Sequence, residues 1–188
     1  MLGFDACHGI PEEPKEEKVY WTNNCRQGGY SAADALNTYN LTAFMNRIVR
    51  NVGRPNMTLV PGFFNDSLVP SLLARHTFQP AVHVDVDVDI YLSTWQCLDW
   101  MLANGLIIPS TFVRYDDWPH VNSSRGLSKG TTDYGQKKAH RELTIKYRIV
   151  WKPVARNSFQ VLAIGDRLCD PALCDQAPAF DGRGAPVG

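Results

Sequence analysis

The segment Ala81–Val88 constrains the fold more than any other part of the sequence. Valines at every second position alternate with His83, Asp85 and Asp87, which is the period-two pattern of a β-strand with one wet face. The run continues into Asp89, so the strand ends in a group of carboxylates. Ligands of α/β proteins bind at the carboxyl ends of the strands. We therefore expect this strand to lead into a functional site.

Helical and strand periodicities alternate along the rest of the chain, which predicts an α/β three-layer sandwich. The last two predicted strands are joined by the short turn Pro153–Ser158 and should form an antiparallel hairpin. The predicted strands lie at 1–4, 57–60, 106–108 with 111–115, 145–151 and 159–164. The predicted helices cover 33–51, Asn65 or Asp66 to Leu73, a segment capped by Ser93 or Thr94 and ending at Ala103 or Asn104, and 134–146.

Composition limits the partners of the chain and sets its expected domain organisation. The 188 residues carry a formal net charge of zero, which gives no support for nucleic acid or an anionic membrane surface as a partner. No apolar run approaches the length of a membrane span. We expect one domain over 1–165 and a disordered tail over 166–188, which is rich in Pro, Gly and Asp. No signal peptide is apparent, so a soluble cytoplasmic protein is the default expectation, although the sequence does not identify the compartment.

The five cysteines are odd in number and irregular in spacing. No CxxC pair is present, which argues against a zinc site. We expect reduced thiols, and a Cys169–Cys174 disulfide stays open as an alternative.

A second group of carboxylates, Asp116 and Asp117, ends the strand that follows. Adjacent parallel strands end side by side, so Asp87 and this pair could share one hard divalent cation, which prefers several oxygen ligands. The alternative is that these acids are helix caps and solvated loop residues. Among the five histidines, only His120 follows this carboxylate pair closely enough to reach a ligand bound there, and Trp118 is the tryptophan best placed to contact one.

Several segments resemble the macrocin O-methyltransferase-like family. Asp87–Thr94 followed by Asp116-Asp117-Trp118 is similar to the family pattern D-x-D-L-Y-x-S-T … D-D-Y. Gly3–Glu12 resembles G-F-D-S-F-E-G-L-P-E, and Leu59–Phe64 resembles L-V-x-G-x-F. Gly135–Glu142 is similar to a helix that follows the metal-binding strand in some members. The resemblance covers residues 2–165 in order.

The resemblance implies a Rossmann-like methyltransferase that uses S-adenosylmethionine and Mg²⁺ to methylate a hydroxyl of a small molecule, with a sugar among the candidates. Asp87, Asp116 and Asp117 would bind the metal, and Asp87 would also accept the hydroxyl proton. Asp5 would bind the ribose of the cofactor, and Asp89 would lie near its sulfonium.

The chain also departs from the family pattern. Cys7-His8 replaces Phe-Glu beside the expected adenosine site, and no strand followed by a glycine-rich turn is present. We therefore expect a mostly parallel sheet that lacks its first strand and needs upstream residues or another chain to complete it. A catalytically degenerate, structural subunit of a larger complex is the alternative to an enzyme.

Overall fold

The computed structural model describes residues 1–14, 27–53, 56–118 and 133–174. The chain divides into two compact units, Met1–Arg75 and His76–Gly188. None of the described helices is long and apolar enough to cross a membrane.

The first unit contains a pair of parallel strands. Its elements are β1 (Leu2–Asp5), α1 (Ala32–Ala35), α2 (Leu41–Val52), β2 (Thr58–Pro61), α3 (Phe64–Ser67) and α4 (Pro70–Arg75). Strand β1 pairs with β2 in parallel, with Leu2 opposite Thr58 and Asp5 opposite Pro61. The strands predicted at 1–4 and 57–60 are therefore confirmed to within one residue.

Both predicted helices of this unit are interrupted. The helix predicted over 33–51 breaks between α1 and α2, because Asn37 adopts a left-handed conformation (φ 45°) and Asn40 starts a new helix. The Asn40 side chain accepts a hydrogen bond from the backbone nitrogen of Ala43 at 3.0 Å, which is an ordinary N-cap. The helix predicted to end at Leu73 is interrupted before Pro70, which begins α4, where its missing N–H costs nothing.

The second unit is built on a mixed sheet. Its elements are β3 (His83–Val86), α5 (Tyr91–Ala103), β4 (Phe112–Tyr115), α6 (Gly135–Tyr147), β5 (Ile149–Ala155), β6 (Ser158–Ile164), β7 (Arg167–Leu168) and α7 (Pro171–Cys174). The strand order is β3-β4-β6-β5, with β7 paired to β6. Strands β3 and β4 are parallel, and β6 is antiparallel to β4, β5 and β7. The α/β class and the C-terminal antiparallel hairpin are confirmed.

The apolar face of this sheet packs against α5 and α6. Val86, Val113 and Tyr115 of the sheet join Leu98 of α5 and Leu143 of α6 in one buried cluster. The alternation of the sequence thus separates a core face from a polar face.

Helix α5 begins at Tyr91, three or four residues before the start that a Ser93 or Thr94 cap predicts. Its N-cap is Ile90. The prediction that Ser93 or Thr94 caps this helix is therefore wrong. Both side chains are buried inside the helix, and the Thr94 hydroxyl donates to the Ile90 carbonyl at 2.8 Å. This bond satisfies the hydroxyl where no solvent reaches it.

The segment after Asp166 differs from the predicted disordered tail as far as Cys174. It forms β7 and α7, and Cys169 and Cys174 form a disulfide. The expectation of reduced thiols is wrong for this pair, because the short α7 returns Cys174 to within 6.3 Å of Cys169, measured between Cα atoms, which is bridging distance. Cys7 and Cys97 are free. Residues 175–188 lie outside the described residues.

Candidate functional site

The carboxyl ends of β3 and β4 lie side by side. Val86 is opposite Tyr115 in the parallel pair, and the backbone nitrogen of Asp116 donates to the Val86 carbonyl at 3.0 Å. Asp87 therefore leaves β3 beside the point where Asp116 and Asp117 leave β4. The pairing of these two strands is what places carboxylates that are distant in sequence at one edge of the sheet.

A tight turn after β3 brings Asp89 against Asp117. Asp89 has a positive φ of 61°, which is uncommon for a residue with a side chain. Its backbone nitrogen donates to Oδ2 of Asp117 at 3.0 Å. The turn also carries a bond from the Ile90 nitrogen to the Val88 carbonyl at 2.6 Å. The hydrogen bond to Asp117 thereby holds the turn at Asp89 against the end of β4.

The electrostatic environment of this pair disfavours negative charge. Burial, followed by the charges of Asp87 and Asp116, raises the pKa of Asp89 to about 6. Burial, followed by the charges of Asp89 and Asp87, raises the pKa of Asp117 to about 7. Among the described residues, no basic side chain forms an ion pair with either carboxylate. The pair is a place where added positive charge would be favourable.

Asp116 has a different partner. Its Oδ1 accepts a hydrogen bond from the Arg114 guanidinium at 2.6 Å, and the same guanidinium contacts Oδ1 of Asp85 at 2.7 Å. Asp85 on β3 thus pairs across to Arg114 on β4. In this arrangement, the described residues contain no group of three His, Cys, Asp or Glu side chains that could hold a metal ion. The shared ligation by Asp87, Asp116 and Asp117 stays a prediction.

Gln136 was not singled out by the sequence, although it lies in the helix that carries the family resemblance. It is fully buried, and its Nε2 donates to the Val86 carbonyl at 3.0 Å and to Oδ2 of Asp117 at 3.3 Å. A polar residue on the core side of a predicted helix was the available signal, but only the fold shows that it reaches the acids.

Trp118 belongs to an aromatic cluster beside the acids. Its ring centroid lies 5.0 Å from that of Tyr115, 4.9 Å from that of Phe159 and 5.3 Å from that of His140. A ring nitrogen of His140 lies 3.0 Å from the Tyr115 hydroxyl, and burial lowers the pKa of His140 to about 4. His140 is thus a core histidine with a hydrogen-bond partner, and Trp118 is half-buried against neighbouring rings. His120 lies outside the described residues.

Asp5 belongs to the first unit, where it ends β1. Its Oδ1 accepts a hydrogen bond from the Cys7 backbone nitrogen at 2.5 Å, and Cys7 has a left-handed φ of 64°. The carboxylate therefore has a local role in closing the turn after β1. It is also exposed at the strand end, and its contact with a ribose stays a prediction.

Comparisons with solved structures connect this fold to methyltransferases. The O-methyltransferase NovP is similar with a TM-score of 0.54 and 17% identity, over 87% of this chain and 60% of that one. CalS11, a calicheamicin methyltransferase, is similar with a TM-score of 0.58 and 15% identity, over 85% of this chain and 59% of that one. The chain therefore has the Rossmann-like methyltransferase fold, and it spans about three-fifths of the length of these two structures. No protein-family model matches the sequence, and no curated protein matches it.

Proposed function

We propose that this chain is part of an S-adenosylmethionine- and Mg²⁺-dependent O-methyltransferase that acts on a hydroxyl of a small molecule, with a sugar among the candidates. One observation carries the proposal. Asp89 and Asp117 are partly buried at the edge of a methyltransferase-like sheet, and no ion pair compensates their charge among the described residues. The fold shared with NovP and CalS11 supports the same class of reaction.

The donor chemistry at this edge fits a hard divalent cation. Carboxylate oxygens are the ligands that Mg²⁺ prefers, and Asp89 and Asp117 form no ion pair among the described residues. Asp87 and Asp117 would hold the ion, and Asp116 would join them after leaving Arg114. When bound, the ion would supply positive charge that lowers the pKa of the acceptor hydroxyl.

The protein residues then have separable tasks in this proposal. Asp87 would accept the proton of the acceptor hydroxyl, since a carboxylate at the strand end can act as a general base. The cofactor, when bound, would supply the methyl group to that oxygen and keep the electron pair of the broken methyl–sulfur bond. Asp89 would lie near the sulfonium of the cofactor, where its negative charge would be favourable. Asp5 would bind the ribose hydroxyls, and Trp118 would contribute to the acceptor pocket. The same role for His120 rests on sequence alone, because that residue lies outside the described residues.

Magnesium titration of the purified protein by calorimetry tests the proposal. We expect binding at neutral pH that weakens as the pH falls through about 6, because protons then compete for the carboxylates. An Asp87→Ala variant should lose this binding. A folded wild-type protein that takes up no Mg²⁺ at neutral pH would refute the metal part of the proposal.

Cofactor binding tests the completeness of the sheet. In the described part of the chain, no strand is followed by a glycine-rich turn, which is the feature that lets a backbone approach a cofactor closely. A charged hydrogen bond contributes about 1.5–3 kcal/mol, whereas micromolar affinity requires about 8 kcal/mol. We therefore expect these 188 residues alone to bind S-adenosylmethionine poorly and to need upstream residues or another chain. Micromolar binding by this chain as a monomer would contradict that.

A catalytically degenerate structural subunit is the second candidate. It is favoured by the ion pair between Asp116 and Arg114, which occupies a predicted metal ligand. Methyl transfer measured on the complete protein distinguishes the two. The enzyme would methylate an acceptor, whereas a structural subunit would bind neither cofactor nor Mg²⁺ and would transfer no methyl group.

A further inference from the structure

The segment Cys169–Cys174 is a short piece of chain that a disulfide closes into a ring. It follows β7, a strand of two exposed residues, and it contains α7, which is a single turn of four residues. A helix this short is not stable in water by itself, because one turn fixes several backbone angles for few hydrogen bonds. The position of α7 therefore depends on the disulfide and on contacts with the rest of the second unit.

Most of α7 is exposed, and its attachment to the sheet converges on its last residue. Leu173 is 54% exposed, whereas Cys174 is only 7% exposed. Two side chains of the β5–β6 hairpin bind carbonyl groups at the end of α7. Lys152 Nζ donates to the Cys174 carbonyl at 3.1 Å, and Gln160 Nε2 donates to the Leu173 carbonyl at 3.4 Å. The residue that the disulfide links is thus also the residue that anchors the helix.

These contacts lie on the face of the sheet opposite to α5 and α6. Val161 of β6 joins the core cluster that includes residues of those two helices. Gln160 precedes it and points to the other face, because successive residues of a strand alternate. Gln160 is completely buried, and it stands opposite Lys152 in the β5–β6 register. Helix α7 therefore contributes to covering this polar pair.

The two cysteines of the ring differ in access. Cys174 is buried, whereas Cys169 is half-buried and lies between exposed neighbours. A thiolate breaks a disulfide by attacking one sulfur and displacing the other. A dithiol would bond to the more accessible Cys169 and displace Cys174 as a thiolate, which takes up a proton. The second thiol of the reagent then displaces Cys169, so two electrons and two protons pass to the protein and the dithiol becomes a disulfide.

We propose that the Cys169–Cys174 disulfide is a redox-sensitive switch for the position of α7, in which reduction by a dithiol releases the helix and opens the face at Gln160 to solvent. The disulfide restricts the segment to few conformations, and its loss restores the freedom of the open chain. Water then replaces the carbonyl partner of Gln160 Nε2, because a buried amide without a partner is costly. The switch depends neither on the proposed function nor on a metal ion.

Hydrogen exchange of the full chain, read by mass spectrometry, tests the switch. One sample is incubated with oxidised glutathione and the other with dithiothreitol, and alkylation followed by mass analysis reports the state of Cys169 and Cys174. We expect reduction to speed exchange of the α7 amides by about tenfold or more, because a released segment opens at almost no cost in free energy. Amides of α5, on the opposite face of the sheet, should exchange as before.

The double variant Cys169→Ser with Cys174→Ser is the matched control. It lacks the disulfide, so its α7 amides should exchange rapidly without reductant and should not respond to dithiothreitol. Thermal melting shows whether the variant is folded, and the reduced wild-type chain gives the same comparison if it is not.

Three results would contradict the switch. Alkylation of both cysteines in the sample treated with oxidised glutathione would show that the disulfide does not form. Unchanged α7 exchange after complete reduction would show that the hydrogen bonds from Lys152 and Gln160 hold the helix without the disulfide. A response of the folded double variant to dithiothreitol would place the effect at another cysteine of the chain.

Discussion

The carboxylates at the ends of β3 and β4 form two groups, which differ in whether a basic side chain compensates their charge. Asp85 and Asp116 share the Arg114 guanidinium, and their side chains are 53% and 46% exposed. Asp89 and Asp117 are more deeply buried, they have no described cationic partner, and their pKa values are raised to about 6 and about 7. The exposed group is compensated by an arginine, whereas the more buried group has no basic partner among the described residues.

The difference follows from the geometry of the strands. Arg114 and Asp116 are two residues apart and so point to one face, and the register places Asp85 directly opposite Arg114 on that face. Asp117, one residue further, turns instead toward Gln136 of α6. Asp116 and Asp117 are therefore adjacent in sequence but differ in environment. Asp116 belongs to a surface ion-pair network, and Asp117 belongs to the group that would favour an added cation.

Removing the buried carboxylate should have the largest effect. We expect Asp117→Asn to abolish Mg²⁺ binding measured by calorimetry, because asparagine keeps the shape but not the charge. Asp85→Asn is the matched control, since it removes the same charge from the neutralised group. It should change the affinity by less than about twofold, as an exposed ion pair contributes little. Equal losses in both variants would show that the two groups do not differ as described.

Releasing Asp116 should have a smaller effect of opposite sign. In Arg114→Met, the carboxylate of Asp116 loses its partner and can turn toward the ion. An exposed ion pair is worth up to about 1 kcal/mol, so we expect Mg²⁺ affinity to rise by about fivefold at most. Calorimetric titration of the variant beside the wild type measures this. Weaker binding in a folded variant would mean that Arg114 supports the site rather than competing for it.

The sequence predicted the positions of strands better than the contacts of side chains. Alternating valines located β3, and the short final turn located the β5–β6 hairpin. The adjacency of the acids at Asp87 and Asp116 also follows from sequence, because parallel strands end together. The pairing of Asp85 with Arg114 was not predictable, since it depends on the register between β3 and β4. Gln136 was missed for a similar reason, because its partners are distant along the chain.

The helix boundaries of the first unit show the limit of periodicity. The apolar spacing over 33–51 suits one helix, but Asn37 and Asn40 interrupt it through local hydrogen bonding and a left-handed backbone. Asparagine competes with helical hydrogen bonds in this way. Periodicity reports which face is apolar and does not show where the backbone turns.

The smallest predicted effect is a pH dependence of stability in the metal-free protein. The pKa of Asp117 is about 7 in the fold against an ordinary value of 3.8, so the folded state holds a proton that the unfolded state releases. Its contribution to stability is complete below about pH 4 and is lost as the pH rises through about 7. His140 acts oppositely, because its pKa falls from 6.5 to about 4 and its contribution to stability is lost as the pH falls through that range.

The melting temperature of a variant must therefore be compared with that of the wild type at each pH, because His140 is present in both. With a chelator present, the melting temperature of Asp117→Asn minus that of the wild type should increase from pH 4 to pH 7. A difference for Asp117→Asn that stays constant with pH would show that this carboxylate is not the uncompensated group.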